Sequence, residues 1–217
     1  MNQTGIMHKN QGFEDLRKVK VLSARGITVI ALLSALATVL MFIEIPLPFA
    51  PSFYKIDFSE VPVLIGTFAL GPMAGVLIEL IKNLLHIVVK GSDSAFVGEL
   101  ANFILGCSLV IPASLIYLRT KTKKSAIAGL VVGTICFVIA GCLLNAYLLL
   151  PVYATMYHMP INALVAMGTA VNPNITSLTG FVFMAVAPFN LLKGVLVSVV
   201  TILLYKQVSP IIKGFHK

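Results

Sequence analysis

The sequence predicts an all-α integral membrane protein with six transmembrane helices and both termini in the cytoplasm. Of its 217 residues, 58% are hydrophobic and 11% are charged, and the mean hydropathy is +0.97. A soluble domain contains about 25% charged residues, so this composition excludes an ordinary soluble fold. The length allows about six short spans, which indicates one compact membrane domain and no separate soluble catalytic domain.

Six apolar stretches are interpreted as spans from their length and from the turn residues between them. They cover residues 27–43, 58–70, 73–89, 98–118, 125–150 and 181–205. The short second and third stretches are predicted to be separate helices, joined by a tight turn at Gly71 and Pro72. One continuous helix would instead carry the basic residues of 119–124 to the outside, against the positive-inside rule.

The basic residues are concentrated at three places in the chain. Of the sixteen lysines and arginines, twelve lie in the two termini and one loop, and only Lys55 and Lys90 lie in predicted outer loops. Because basic residues mark the cytoplasmic side, we predict cytoplasmic tails at 1–26 and 206–217 around a transmembrane domain at 27–205. The net charge of +8 is thereby explained as a topology signal beside the lipid bilayer, and no nucleic-acid partner is expected.

Residues 151–187 contain no Asp, Glu, Lys or Arg and are too long for a simple turn between two spans. Their apolar part, 161–171, is too short to cross a bilayer, and turns are predicted at Pro160 and Pro173. We predict an outer loop or helix extension lying over the protein. It is either a lid or a mobile insertion at the membrane surface.

Two asparagines and a lysine lie within the last two predicted spans. Placing a lysine in hydrocarbon costs at least ~2.5 kcal/mol, so an intramembrane lysine indicates a functional site. Lys193 and Asn190 are three residues apart and share a helical face, and Asn145 is expected at a similar depth in the outer half of the bilayer. We predict that these side chains bind a small, uncharged molecule rich in hydrogen-bond acceptors, which enters from outside.

In the alternative interpretation, Lys193 neutralises a carboxylate and the asparagines hold helices together. The fifth and sixth predicted spans contain no acidic residue, so such a partner would come from Glu99 or from a loop. The missing carboxylate favours ligand binding over this alternative.

Glu79, Lys82, Asn83 and His86 form a second polar group on one face of the third predicted span. We predict an ion pair between Glu79 and Lys82, and a proton relay through His86 is the alternative. No group of residues has the spacing of a metal site. The sequence also lacks a P-loop and a nucleophile elbow, so we predict no enzymatic activity, and energy for transport would come from another subunit or an ion gradient.

Residues 55–86 read KIDFSEVPVLIGTFALGPMAGVLIELIKNLLH. This block resembles the signature of the riboflavin-specific substrate-binding (S) subunits of bacterial energy-coupling factor (ECF) transporters. The resemblance extends to the Ala-x-x-x-Ala pattern of Ala31 and Ala35, to FN-x-x-KG at 189–194 and to the position of Asn145. It covers nearly all of the predicted membrane domain.

The resemblance implies an ECF S-component-like bundle in the bacterial cell membrane, with riboflavin as the transported ligand and no cofactor. It also implies which residues bind the vitamin. Those that hydrogen-bond it are Asn145, Asn190 and Lys193. Those that contact its ring from the first outer loop are Leu47, Phe49 and Ala50.

The resemblance further implies partners. A transmembrane coupling subunit would dock on the small-residue face of the first span, here Ala31 and Ala35, and would work with two cytosolic ATPase subunits. Two rival functions stay open. The chain could be a proton-coupled secondary carrier for a small vitamin-like solute that uses Glu79, Lys82 and His86, or a non-transport membrane scaffold whose polar residues only pack helices.

Overall fold

The computed structural model of the protein describes most of the chain, without the two ends and four short internal pieces. The described residues are 21, 23–47, 54–92, 94–156 and 158–214, apart from the side chains of 205, 206 and 208–214. Within this part the chain is helical, with one two-stranded antiparallel ladder.

The helices of the described residues are numbered here in chain order. They are α1 (Ala24–Phe42), α2 (Glu60–Leu70), α3 (Pro72–Lys90), α4 (Val97–Thr120), α5 (Lys123–Met156), α6 (Ile161–Thr169) and α7 (Leu178–Phe181, Val182–Val186 and Ala187–Gly214). Five of them, α1, α3, α4, α5 and α7, are long and apolar enough to cross a membrane, and the eleven-residue α2 is apolar but shorter. The helical membrane architecture is confirmed, with a helix at each of the six predicted positions. A full crossing by α2 and the cytoplasmic position of both tails stay predictions.

The predicted break between the second and third helices is confirmed. Gly71 has φ of 98°, a conformation that glycine adopts without a steric penalty, and its backbone N–H donates to the Thr67 carbonyl oxygen at 2.8 Å. Pro72 then begins α3 at a position where a helix needs no N–H donor. The short α2 therefore folds back directly against α3.

Helix α5 continues beyond the predicted end at residue 150, so that boundary was wrong. Asn145–Leu149 is π-helical, and the Leu150 N–H donates to the Asn145 carbonyl oxygen. This wider turn lies directly before Pro151, whose ring would clash with the preceding turn of a regular α-helix. A second π-helical segment, Val182–Val186, precedes Pro188 in α7. Each helix accommodates its proline by widening and does not end there.

The uncharged segment after α5 contains the short helix α6, which packs onto the end of the bundle where α5 ends and α7 begins. Leu164 and Val165 are buried together with Ile175 and Phe181. A Cβ added to Gly168 would lie 2.5 Å from Cδ2 of Phe181, so the approach of α6 to α7 depends on glycine. This packing favours the predicted helix extension over a mobile insertion.

The loop after α1 is held by the two-stranded ladder. Ile45–Pro46 (β1) pairs antiparallel with Lys55–Ile56 (β2), with Ile45 opposite Ile56. The pairing fixes the chain at both ends of the first outer loop. The β2 strand thereby positions its two neighbours, Tyr54 and Asp57, both of which are buried.

Candidate functional site

Two neighbouring cavities open at the end of the bundle where β1 and β2 lie. Their volumes are about 690 Å³ and about 200 Å³, and small-molecule sites span roughly 300–1,000 Å³. Both cavities are lined by Lys55, Gly98, Asn102, Leu150, Tyr153 and Lys193. The shared wall makes them two compartments of one site.

The structure brings together the three polar residues predicted from the last two spans. Asn145 on α5 and Asn190 and Lys193 on α7 all line the smaller cavity, and all three are buried. Asn145 Nδ2 donates to the Gly141 carbonyl oxygen, and Asn190 Nδ2 donates to the Val186 carbonyl oxygen, each at 2.9 Å. Each amide is therefore oriented along its own helix. That these side chains contact a ligand stays a prediction.

Glycine allows α5 and α7 to approach at this level. A Cβ added to Gly141 would lie 2.5 Å from Nδ2 of Asn190, closer than real Cβ contacts allow. Gly141 thus makes the space in which the Asn190 amide lies. The side chain of Asn145 follows one helical turn later on the same face.

Lys193 has a carboxylate partner that sequence reasoning did not identify. Its Nζ lies 2.7 Å from Oδ2 of Asp57, and the two side chains are 10% and 12% exposed. The other oxygen of Asp57, Oδ1, accepts from the backbone N–H and the hydroxyl of Ser59. The expectation of a lysine without a counter-ion was therefore wrong, and the pair agrees with the alternative in which Lys193 neutralises a carboxylate from a loop.

The environment of Asp57 favours its ionised form. Burial alone would raise the pKa of this carboxyl, but the charges of Lys193 and Lys82 and the hydrogen bonds from Lys193 and Ser59 lower its pKa to about 2, from 3.8. The pair with Lys193 is therefore an ion pair at neutral pH.

Tyr54 is a second member of the site that sequence reasoning missed. Its hydroxyl donates to Oδ1 of Asn145 at 2.8 Å. Its ring lies against Phe189, with centroids 4.8 Å apart, and more distantly against Phe181, at 6.3 Å. Tyr54 and Phe189 both line the smaller cavity, so an aromatic wall lies directly beside the amide and ammonium groups.

A more exposed ion pair lies at the wall of the larger cavity. Glu44 accepts from Lys55 and, at 3.2 Å, from Lys90. Burial would raise the pKa of Glu44, but the hydrogen bonds and charges of the two lysines lower it below its ordinary value. The two lysines predicted in outer loops therefore join the first loop to the end of α3.

The predicted pair of Glu79 and Lys82 is confirmed, and it belongs to a larger buried network. Lys82 Nζ lies 2.9 Å from Oε1 of Glu79, 2.8 Å from Oε1 of Glu60 and 3.3 Å from Oγ of Ser59. Because Ser59 also donates to Asp57, hydrogen bonds connect Lys82 on α3 to Lys193 on α7. Sequence reasoning had not included Glu60.

His86 stands apart from this network. Its ring stacks on Phe42 with centroids 5.3 Å apart, and its Nδ1 lies 4.0 Å from Oε1 of Glu99. Nδ1 has no hydrogen-bond partner in the described part of the chain. No group of acidic, histidine and cysteine side chains in that part could hold a metal ion. The predicted alternative, a proton relay through His86, gains no support from the hydrogen bonds of the described residues.

The comparison with protein families identifies the chain. The family described as "ECF transporter, substrate-specific component" matches residues 25–205. The chain belongs to this family. A solved structure of the S component of a bacterial ECF transporter matches with a TM-score of 0.66 and 37% sequence identity, covering 86% of this chain and 96% of that chain.

Proteins with curated names are also similar to this S component. The riboflavin transporter RibU of Staphylococcus aureus (strain TCH60) is 36% identical over 197 residues, covering 91% of this chain and 97% of that protein. The riboflavin transporter FmnP of Bacillus subtilis (strain 168) is 34% identical over 190 residues, covering 87% of this chain and 94% of that protein. With the apolar helices of the described residues, these matches make the S component a multi-pass protein of the cell membrane.

The remaining predicted site residues of the S component lie in its first loop. Leu47 is partly buried and packs on the outer apolar cluster that contains Tyr54 and Phe181, and it lines neither of the two cavities. Phe49 and Ala50 lie outside the described residues. Contact between these three residues and a ligand stays a prediction.

The predicted docking residues lie on the face of α1 that points away from the other helices. Ala31 and Ala35 are exposed, whereas Ser34 and Ala37 face the bundle and are fully buried. The S component therefore presents its small-residue pattern away from its own helices. A partner on this face stays a prediction.

Proposed function

We propose that this S component is the riboflavin-binding subunit of an ECF-type vitamin importer, capturing riboflavin from outside and delivering it through an ATP-driven complex. Riboflavin is its transported ligand, and the subunit has no cofactor and no enzymatic activity of its own. The observation that carries the proposal is that two amides and an ammonium group line the smaller of two adjoining cavities, in a chain whose relatives are named riboflavin transporters.

The chemistry of the cavity suits the flavin ring. The ring is flat, uncharged and rich in hydrogen-bond acceptors, and it requires apolar surface as well as a few placed donors. Asn145, Asn190 and Lys193 supply amide and ammonium donors, and Tyr54 and Phe189 supply aromatic surface. Lys193 has three N–H donors, of which one is directed at Asp57. These groups would hold the ring, with Leu47, Phe49 and Ala50 closing over it from the first loop.

The larger cavity would be the entrance. It is lined by Met159, Leu164 and Met167 from the segment that contains α6, which supports a role of this segment as a lid over the site. The ends of the chain would lie on the opposite, cytoplasmic side, at 1–26 and 206–217.

The energy for import would come from partners. A transmembrane coupling subunit would dock on the face of α1 that contains Ala31 and Ala35, and two cytosolic ATPase subunits would drive the complex. The outward exposure of both alanines supports this arrangement, because small residues allow another transmembrane helix to approach closely.

Purification in detergent tests the proposal directly. We expect yellow protein with flavin absorbance, or apoprotein that quenches riboflavin fluorescence on titration. Colourless protein that binds no riboflavin would overturn the proposal and favour a scaffold. A secondary carrier would instead transport its solute into proteoliposomes without ATP or partner subunits.

The candidate site is tested by Asn190→Ala, with Asn174→Ala as the matched control on an exposed turn. Loss of one amide contact should weaken riboflavin binding about tenfold, and the control should bind as the unmodified protein does. Equal affinities in the two variants would remove Asn190 from the site.

A further inference from the structure

The charges that line the larger cavity balance one another. Its described lining contains three carboxylates and three ammonium groups, and the smaller cavity has two charged lining residues, Lys55 and Lys193. The carboxylates are Glu44, Asp57 and Glu99, and the ammonium groups are Lys55, Lys90 and Lys193. With His86 neutral, the described lining of the larger cavity has no net charge.

Asp57 is the acid that balances Lys193, one of the two lysines that line both cavities. Its carboxylate contacts Lys193 at 2.7 Å, and both side chains are almost completely buried. Because both side chains are buried, water and salt would screen one uncompensated charge here only weakly, and the charge would act on a ligand over several ångströms. Without Asp57, the cavity would therefore attract anions through Lys193.

The position of Asp57 is fixed by contacts that leave it little freedom. The backbone N–H and the hydroxyl of Ser59 both donate to Oδ1, and Lys193 donates to Oδ2. The same hydroxyl of Ser59 accepts from Lys82, which is fully buried between Glu60 and Glu79. Asp57 therefore both orients the Lys193 ammonium group and cancels its charge.

We propose that Asp57 is a specificity-determining residue, which cancels the charge of Lys193 at the wall shared by the two cavities and so favours an uncharged ring ligand over its phosphorylated, anionic form. Asp57 acts through Lys193 and is a positioning residue for the ligand. The inference rests on the proposed riboflavin-binding function and adds the charge class of the ligand.

The test compares riboflavin with flavin mononucleotide, which has the same ring and a phosphate of about −1.5 to −2 charge. Dissociation constants for both are measured by fluorescence quenching in detergent, for the unmodified protein, Asp57→Asn and Asp57→Glu. In Asp57→Asn the affinity ratio should shift toward flavin mononucleotide by at least about tenfold. Asp57→Glu retains the charge and should retain the ratio within about twofold.

Asp57→Asn leaves Lys193 as an unpaired buried charge and could prevent folding. The same comparison is therefore also made in the Lys193→Gln background, where Asp57→Asn changes the net charge of the two side chains at 57 and 193 from −1 to zero. The ratio should again shift toward flavin mononucleotide. An unchanged affinity ratio in both backgrounds would overturn the role of Asp57. Substitution of a purely structural residue would weaken the binding of both ligands by the same factor. If the unmodified protein binds neither flavin, it is the proposed function that fails.

Discussion

Lys82 on α3 and Glu60 on α2 form an ion pair in which Nζ lies 2.8 Å from Oε1, and neither side chain is more than 1% exposed. Glu79 binds the same ammonium group from one turn earlier on α3. A lysine that is shared by two buried carboxylates holds the short α2 against α3. This contact matters because α2 follows the loop that supplies Asp57 to the candidate site.

Lys82→Met should therefore destabilise the protein strongly. It leaves two buried carboxylates without their cation, and breaking a buried ion pair from one side costs about 3–5 kcal/mol. Thermal unfolding in detergent measures the effect. Lys90→Met is the matched control, because Lys90 is 41% exposed in its pair with Glu44 and such pairs contribute at most ~1 kcal/mol. Similar melting temperatures for both variants would contradict this role for Lys82.

Tyr54→Phe should weaken riboflavin binding and leave the fold intact. The substitution keeps the ring beside Phe189 and removes the hydroxyl that donates to Asn145. Loss of one neutral hydrogen bond corresponds to roughly a twofold to tenfold increase in the dissociation constant, which fluorescence titration can resolve. The control is Tyr147→Phe, since Tyr147 is 79% exposed on α5. If Tyr54→Phe binds as tightly as this control, the hydroxyl does not orient the amide for the ligand.

Ala31→Trp and Ala35→Trp should abolish riboflavin uptake and spare riboflavin binding. Each adds a large ring to the face of α1 on which close approach of a partner helix is proposed. Uptake of labelled vitamin is measured with the coupling and ATPase subunits present, and binding is measured on the isolated subunit. Ile135→Trp serves as the control, because Ile135 is 53% exposed on a different helix. Loss of binding as well as uptake would mean that the two alanines pack within the bundle.

The ion pair of Asp57 and Lys193 predicts a defined dependence of stability on pH. Asp57 has a pKa of about 2 in the folded protein against 3.8 ordinarily, so the folded state favours the ionised form. Its contribution, about 2 kcal/mol, is fully present above about pH 4 and is lost as the pH falls toward 2. The difference in melting temperature between the unmodified protein and Asp57→Asn should be constant near neutral pH and shrink in acid. A difference that persists unchanged at the lowest pH would show that the Asn variant suffers from altered packing.

The helices could be predicted from the sequence because hydropathy and turn residues are local signals. Gly71 and Pro72 located the break between α2 and α3, and the spacing of Asn190 and Lys193 placed both on one wall. Helical periodicity also paired Glu79 with Lys82, three residues later on the same face.

Partners that are distant in the chain could not be predicted in this way. Asp57 meets Lys193 across 136 residues, and Tyr54 meets Asn145 across 91 residues. Both lie in the short stretch around β2, which carries no helical periodicity. The available signal was the count of charges. The stretch contains two acids, Asp57 and Glu60, and among the described residues the membrane helices contain two buried lysines, Lys82 and Lys193, that require them.

The π-helical segment Asn145–Leu149 makes the shape of the cavity depend on the number of residues in α5. Such a segment amounts to one residue inserted into a regular helix, and one residue turns the following side chains by about 100°. Deleting a single residue there would leave Asn145 in place and rotate Leu150 and Tyr153, which line both compartments, toward other neighbours. The shape of the pocket is therefore encoded by an insertion as well as by side-chain identity, and a one-residue change in length could reshape it without altering any polar group.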